Sequence, residues 1–293
     1  MKTHFKCFVY AFIIFLSLSA CGDKDRDNRR VIAVSIEPQR EILEHIVGDK
    51  FKIVTIMSGG DNPETFEPSP MRRVDIENSE AYFTVGLLPF ENSLKKSSAD
   101  KNKFVDTSEG INLIYGTHSH ESIKDGKRHV HTHTMADPHI WTSVKNAKIM
   151  AMNMTKKMTD IDPDNAPTYR DNLARYCTYL DSIDTAFAHK LSQSAKKGFL
   201  VWHPSLSYFA KDYNLEQISV SSDTKEASVS SLTDIIKKAK ADSIDILFYQ
   251  QEFDNRQAEM IGKSINARLI TIRPSVYDWV NELSIIVDEL TKE

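Results

Sequence analysis

Residues 31–57, VIAVSIEPQREILEHIVGDKFKIVTIM, contain the pattern that decides the fold. Residues 31–36 form an apolar run expected to be a buried strand, and residues 38–47 have the amphipathic spacing of a helix. A second apolar run, residues 51–57, predicts another strand. Because strands that alternate with helices favour a parallel sheet covered on both faces, this stretch predicts an α/β protein.

The same alternation continues on both sides of a helical middle. Two further strands are predicted in the first half, at residues 82–85 and 103–106. In the second half, strands separated by helical stretches are predicted at residues 199–202, 216–220, 245–249 and 268–272. We therefore expect two Rossmann-like lobes with parallel sheets, an N-terminal lobe at 31–162 and a C-terminal lobe at 194–293.

The middle of the chain predicts helices. Residues 144–159 read as one helix, and residues 163–193 read as a longer one, with Asp162 as N-cap and Pro163 in the first turn. One face of the longer helix is apolar through Leu173, Tyr176, Leu180, Ile183 and Phe187. At ~1.5 Å per residue this helix would be ~45 Å long, so we expect one rigid helix to link the lobes.

The overall composition is that of an ordinary soluble protein. Of 293 residues, 41% are hydrophobic and 27% charged, and the formal net charge is −4. This balance gives no reason to expect a nucleic acid as partner.

The first twenty residues predict a lipoprotein signal peptide. Lys2 and Lys6 precede an apolar run at 8–18, which is about half of the ~20 residues a spanning helix needs. The sequence LSAC at 18–21 resembles a bacterial lipobox, so cleavage would leave a lipidated Cys21; the alternative is an ordinary secretory signal. Residues 21–30 then predict a charged, flexible tether between a membrane anchor and the folded chain.

Histidines are concentrated in one long segment without a convincing structural pattern, residues 109–138. Five of the ten histidines lie within its loop at 117–134, namely His118, His120, His129, His131 and His133. Loops of this length in compact domains are usually functional or disordered. We interpret it as a mobile auxiliary metal site; the alternative is a solvated insertion.

Three short motifs follow predicted strands, where open α/β sheets bind ligands. They are NPETFEPSP at 62–70, DPHIW at 137–141 and WHPSLSYF at 202–209. In the last two, His139 and His203 each lie beside a proline and bulky apolar residues, a setting that fixes an imidazole for a metal. Either histidine alone could instead be a hydrogen-bonded structural residue.

With the lipobox and the long helix, these motifs resemble the zinc and manganese solute-binding proteins of ABC importers, the cluster A-I family. The resemblance covers nearly all of the mature chain. It implies two α/β lobes joined by a rigid helix, with the metal between the lobes. A histidine-rich loop before the second motif is typical of the zinc-specific members.

The resemblance also implies a set of ligands. His139 and His203 match the second and third family ligands, whereas Glu64 stands where the first motif usually carries a histidine. A glutamate can bind Zn²⁺ through oxygen at ~2.0–2.2 Å, so the site would contain two nitrogens and a carboxylate. The alternative is that Glu64 faces solvent.

The fourth family position is often an aspartate, and this chain has Arg273 there. A guanidinium only donates hydrogen bonds and cannot coordinate a cation. Arg273 must turn away, pair with Glu64 or a neighbouring acid, or mark an altered site. Gln250, Glu252 and Asp278 lie near the same strand ends and could compensate.

Two imidazoles and a carboxylate favour Zn²⁺ over Mn²⁺, which prefers more oxygen ligands. We therefore expect a monomeric, extracytoplasmic, high-affinity zinc-binding protein, anchored to the membrane at Cys21. By resemblance, its partners are an importer permease and its cytoplasmic ATPase. The alternatives are a manganese-selective binder, or a degenerate member that serves adhesion or surface scaffolding.

An enzyme is not expected. A zinc hydrolase would use Glu64 or Glu252 as base, with His139 and His203 on the metal. No His-Glu-x-x-His motif or nucleophile elbow is present in the sequence, which argues against that class.

Overall fold

The computed structural model describes residues 27–124, 127–221, 229–251 and 256–292. The predicted signal peptide, Cys21 and Glu252 lie outside these residues. No helix within the described ranges combines the length and the apolar character needed to cross a bilayer.

The N-terminal half contains a parallel sheet of four strands in the order β2-β1-β3-β4. Its strands are short and largely buried, as expected for a sheet with helices packed on it. Its elements are β1 (Val31–Val34), α1 (Glu37–Val47), β2 (Lys52–Thr55), α2 (Pro70–Asn78), β3 (Ala81–Thr84), α3 (Pro89–Ser97) and β4 (Phe104–Asp106).

The C-terminal half contains a second parallel sheet of four strands, in the order β10-β9-β7-β8. The carboxyl ends of β7 and β9 lie beside each other in it, and this places the segments that follow them close together. Its elements are β7 (Gly198–Val201), α6 (Ser207–Asp212), β8 (Glu216–Ser219), α7 (Val229–Ala241), β9 (Ile246–Gln250), α8 (Arg256–Ile265), β10 (Arg268–Ile272) and α9 (Trp279–Thr291).

Two helices connect the sheets, α4 (Val144–Ile161) and α5 (Ala166–Ser192). The α5 helix has 27 residues, which corresponds to about 40 Å. It begins three residues later than predicted, because residues 163–165 form a separate 3₁₀ turn. Pro167 has no N–H, so it cannot make the α-helical hydrogen bond to the carbonyl of Pro163. The Asp162 carboxylate accepts hydrogen bonds from the side chains of Asn165 and Tyr169.

The long helix α5 is part of the main core. Tyr169, Tyr176, Leu180 and Phe187 are buried on the face that packs against α1, α4 and α9. The same core continues into both sheets, so the prediction of two α/β lobes joined by one long helix is confirmed.

The histidine-rich segment was predicted to lack regular structure, and this prediction was wrong. Strands β5 (Tyr115–Lys124) and β6 (Lys127–Ala136) pair as an antiparallel hairpin. Its register sets His118 opposite His133 and His120 opposite His131. Hydrophobic alternation fails here because polar residues occupy nearly every position, whereas the frequent threonines still favour an extended backbone.

Candidate metal centre

Three side chains from distant parts of the chain converge on one point. Glu64 follows β2, His139 follows the hairpin, and His203 follows β7. One ligand atom of each residue lies within 4.8 Å of the others. Nε2 of His203 is 3.3 Å from Oε1 of Glu64, and the two imidazole rings meet at 70° with centroids 5.1 Å apart. Both histidines are nearly inaccessible, at 2% and 3% exposure, whereas Glu64 is half-buried.

The loop that carries Glu64 is held by local hydrogen bonds. The side-chain oxygen of Asn62 accepts a hydrogen bond from the Glu64 N–H at 2.9 Å, a turn favoured by an Asn-Pro sequence. Phe66 packs edge-on against Phe90 at 5.0 Å between centroids. The loop of the first motif is therefore held at two points. The Asn62 side chain holds the backbone of Glu64, and Phe66 packs the loop against α3.

His139 is oriented by Asp137. The Oδ1 atom of Asp137 accepts hydrogen bonds from the His139 backbone N–H at 2.9 Å and from its Nδ1 at 2.8 Å. Because Nδ1 donates in this arrangement, Nε2 is the nitrogen with a lone pair for a cation. Burial opposes ionisation of Asp137, but the positive charge of His139 in its protonated form and the hydrogen bonds from His139 outweigh it and lower the pKa of the carboxyl.

His203 is positioned through its backbone. Its carbonyl oxygen accepts a hydrogen bond from the Ser205 N–H at 2.7 Å and from Nε2 of Gln250 at 3.2 Å. The same Gln250 nitrogen also donates to Oγ of Ser205 at 2.6 Å. Gln250 is 1% exposed at the carboxyl end of β9, and its side-chain amide supports the loop that carries His203.

Arg273 turns away from the converging ligands. Its backbone N–H donates to Oε1 of Glu282 at 2.8 Å, and its guanidinium comes within 4.0 Å of Oε2 of that residue. The Arg273 side chain is 57% exposed. Of the alternatives that the sequence left open, the structure therefore shows the arginine facing a neighbouring acid on α9.

The donor set fits a zinc ion. Two imidazole nitrogens and one carboxylate oxygen are three of the four ligands that Zn²⁺ takes in tetrahedral sites. They would leave one coordination position open. The two imidazoles are neutral when they bind, so Zn²⁺ and one glutamate together carry a net charge of +1. A guanidinium directed into the site would add a second positive charge and oppose binding.

Sequence reasoning missed two residues that shape this centre. Asp137 was quoted in the second motif but was given no role, although a carboxylate two residues before a histidine is well placed to bind its Nδ1. Glu282 was not considered, because nothing in its local sequence indicates that α9 packs beside the backbone of Arg273.

Two parallel α/β sheets joined through one long helix, with histidine and glutamate side chains that converge from loops of both halves, define a two-lobed solute-binding protein. Comparison with known families agrees with this class. The chain belongs to the family described as the periplasmic component A of the zinc-uptake complex, ZnuA, whose model matches residues 32–278.

Individual relatives support this assignment. The high-affinity zinc uptake system protein ZnuA of Bacillus subtilis is 26% identical over 266 residues, which is 87% of this chain and 83% of that protein. The zinc-binding lipoprotein AdcA of Streptococcus pneumoniae strain R6 is 25% identical over 96% of this chain, but the match spans only 56% of AdcA. A crystal structure of ZnuA is 31% identical, with a TM-score of 0.79 over 90% of this chain and 98% of that one.

Proposed function

We propose that this protein binds Zn²⁺ outside the cytoplasm and delivers it to an ABC importer. The observation that carries the proposal is the convergence of Glu64, His139 and His203 within 4.8 Å. These residues come from both halves of the molecule, so a bound ion would connect the two lobes. That arrangement suits a carrier, which must hold its cargo and then release it when the lobes separate.

Capture without catalysis is the simplest use of this site. The two histidines are almost completely buried, and Glu64, which a hydrolase would need as a base, lies against His203 at ligand distance. Binding without turnover therefore agrees with the geometry and with a family of solute-binding proteins.

Zinc is the cargo that the donor set favours. Imidazole nitrogen suits Zn²⁺, whereas Mn²⁺ prefers sites with more oxygen ligands. The names of the relatives in Bacillus subtilis and Streptococcus pneumoniae also refer to zinc. Manganese is the second candidate, because the glutamate at position 64 adds an oxygen where a histidine would add a nitrogen.

Delivery implies three further properties. The proposed partners are an importer permease and its ATPase, because the family is described as one component of a zinc-uptake complex. A lipid on Cys21 would hold the protein at the membrane surface, with residues 21–30 as tether. The protein would act as a monomer, because both sets of ligands come from one chain.

The histidines of the hairpin would form an auxiliary site. The ladder brings His118 and His120 opposite His133 and His131, and His129 lies two rungs further along β6, opposite Ser122. A weak site close to the main one raises the local zinc concentration. Since imidazole must be neutral to bind a metal, capture there should weaken below about pH 6.

Growth under zinc limitation tests the function. Cells that lack the gene should grow poorly when zinc is chelated, and the wild-type gene should restore growth. A His139→Ala/His203→Ala double variant should fail to do so at equal protein level, whereas a variant of an exposed histidine on α5, His189→Ala, should succeed. Full rescue by the double variant would contradict the proposal.

A further inference from the structure

Tyr208 makes an unusual connection between the two halves of the molecule. It lies on α6, five residues after His203, and is 3% exposed. Its hydroxyl donates a hydrogen bond to the backbone carbonyl of Asp137 at 2.8 Å and accepts one from the backbone N–H of Ile114 at 3.2 Å. A single side chain from the C-terminal half therefore satisfies two backbone groups of the N-terminal half.

These two groups belong to the residue pair directly beyond the last rung of the histidine-rich hairpin, Tyr115 opposite Ala136. The Asp137 N–H donates to the Ile114 carbonyl at 2.8 Å, which is half of the reciprocal pair expected between opposed residues of an antiparallel ladder. The other half, from the Ile114 N–H to the Asp137 carbonyl, is replaced by the inserted Tyr208 hydroxyl. The base of the hairpin is thus closed by a residue of the opposite lobe.

The connection leads directly to both histidines. Asp137 holds the backbone and Nδ1 of His139, so a displacement of Asp137 displaces that imidazole. On the other side, His203 is joined to Tyr208 by a short segment in which Ser205 and Leu206 are hydrogen-bonded to Gln250 and Gln217. The Tyr208 hydroxyl therefore closes a ring of contacts that contains both histidines.

We propose that Tyr208 is a positioning residue that couples lobe separation to metal release. While the Tyr208 hydrogen bonds are in place, the two histidines keep the separation that one zinc ion requires. Each metal–ligand distance tolerates a change of only ~0.2 Å. When the lobes separate, the hydroxyl leaves Asp137, and His139 loses its fixed orientation as a ligand. The inference rests on the proposed function, since it concerns zinc held between the lobes.

Tyr208→Phe tests the coupling with little change in packing, because only the hydroxyl is removed. Tyr213→Phe is the matched control: Tyr213 follows α6 directly, and its hydroxyl bonds Asp184 of α5 at 2.8 Å, away from the metal ligands. Three quantities are measured on both variants and on the wild type. These are the zinc dissociation constant, the rate of zinc loss to a chelator, and the visible spectrum of the Co²⁺-loaded protein, which reports the ligand geometry.

Tyr208→Phe should weaken zinc binding by about 10-fold and speed its release, because a fixed second layer around zinc ligands typically contributes 10–100-fold in affinity. Its Co²⁺ spectrum should also differ from that of the wild type. Tyr213→Phe should match the wild type in all three quantities. Equal zinc affinity and release rates in the two variants would overturn the proposal.

Amide hydrogen exchange at Ile114 provides a readout that needs no metal. In zinc-free protein this amide should be protected in the wild type and in Tyr213→Phe, and should exchange faster in Tyr208→Phe. Unchanged exchange in Tyr208→Phe would refute the link whatever the zinc data show. Failure of the wild type to bind zinc would refute the proposed function separately.

Discussion

Oε1 of Glu64 lies 3.3 Å from Nε2 of His203, in a pocket where both residues also face His139. The carboxylate thus occupies the place that the family resemblance assigns to a first histidine. Because the carboxylate is anionic, it compensates part of the charge of a bound cation that a neutral imidazole would leave uncompensated. In the proposed site, glutamate in place of histidine would change the type of ligand and retain the number of ligands.

Glu64→Ala should abolish tight zinc binding. Loss of a residue that only hydrogen-bonds a zinc ligand typically lowers metal affinity by about 10–100-fold. Loss of the ligating oxygen itself should therefore lower the affinity by at least about 100-fold. Isothermal titration of metal-stripped protein measures the effect, with Glu67→Ala, an exposed glutamate of the same loop, as control. An unchanged affinity in Glu64→Ala would show that this residue is not a ligand.

Asp137→Asn should weaken zinc binding by about 10–100-fold, the usual cost of losing the carboxylate behind a histidine ligand. The asparagine can still accept from Nδ1, but it no longer raises the basicity of the ring. Asp75→Asn, at a half-buried ion pair with Arg72 on α2, is the control. Equal zinc affinities in the two variants would contradict the assigned role of Asp137.

Arg273→Ala should change zinc affinity by less than about threefold. Its guanidinium is largely exposed and 4.0 Å from the Glu282 carboxylate, and such pairs contribute about 0–1 kcal/mol. Competition with a chelating dye measures the affinity, with Arg72→Ala as control for the loss of a surface cation. A tenfold or greater gain in affinity would mean that the guanidinium opposes the bound metal.

His45 should make the stability of metal-free protein depend on pH. It pairs with Glu41 at 2.9 Å, and Glu41 also accepts hydrogen bonds from Tyr176 and Trp279. The hydrogen bond to Glu41 raises the pKa of His45 above its usual 6.5. A raised folded-state pKa stabilises the protein below pH 6.5, and this stabilisation disappears as pH rises through the folded-state pKa.

His45→Gln should therefore lower the free energy of unfolding at pH 5.5 and leave it nearly unchanged at pH 8.5. The loss should stay below about 1 kcal/mol, because the histidine side chain is half exposed. Urea unfolding at the two pH values measures it, beside His189→Gln. A larger loss at pH 8.5 than at pH 5.5 would reverse the predicted sign.

Much of the fold follows from local sequence patterns. Buried parallel strands such as 31–34 are continuous apolar runs, and the amphipathic spacing of residues 173–187 identifies the long helix. The hairpin could not be predicted in this way, because most positions on both faces of its strands are polar. The sequence therefore shows no alternation between apolar and polar residues. The hairpin strands pair through backbone register, and Tyr208 of the other half of the chain forms hydrogen bonds at the base of the hairpin.

The candidate site divides in a similar way. His139 and His203 could be predicted because proline and bulky neighbours mark them, and Glu64 because its motif has a known counterpart. The orientation of Arg273 could not, because it depends on Glu282, which α9 brings to its backbone. The same holds for Gln250, whose amide reaches the backbone of His203 across two neighbouring strands.

Equilibrium titration of metal-stripped protein lacking residues 118–133 tests the central claim most directly, because it isolates the site of Glu64, His139 and His203 from the hairpin histidines. We expect one Zn²⁺ per chain, bound well below micromolar and more tightly than Mn²⁺. Zinc binding no tighter than about micromolar, ~8 kcal/mol, would contradict the account.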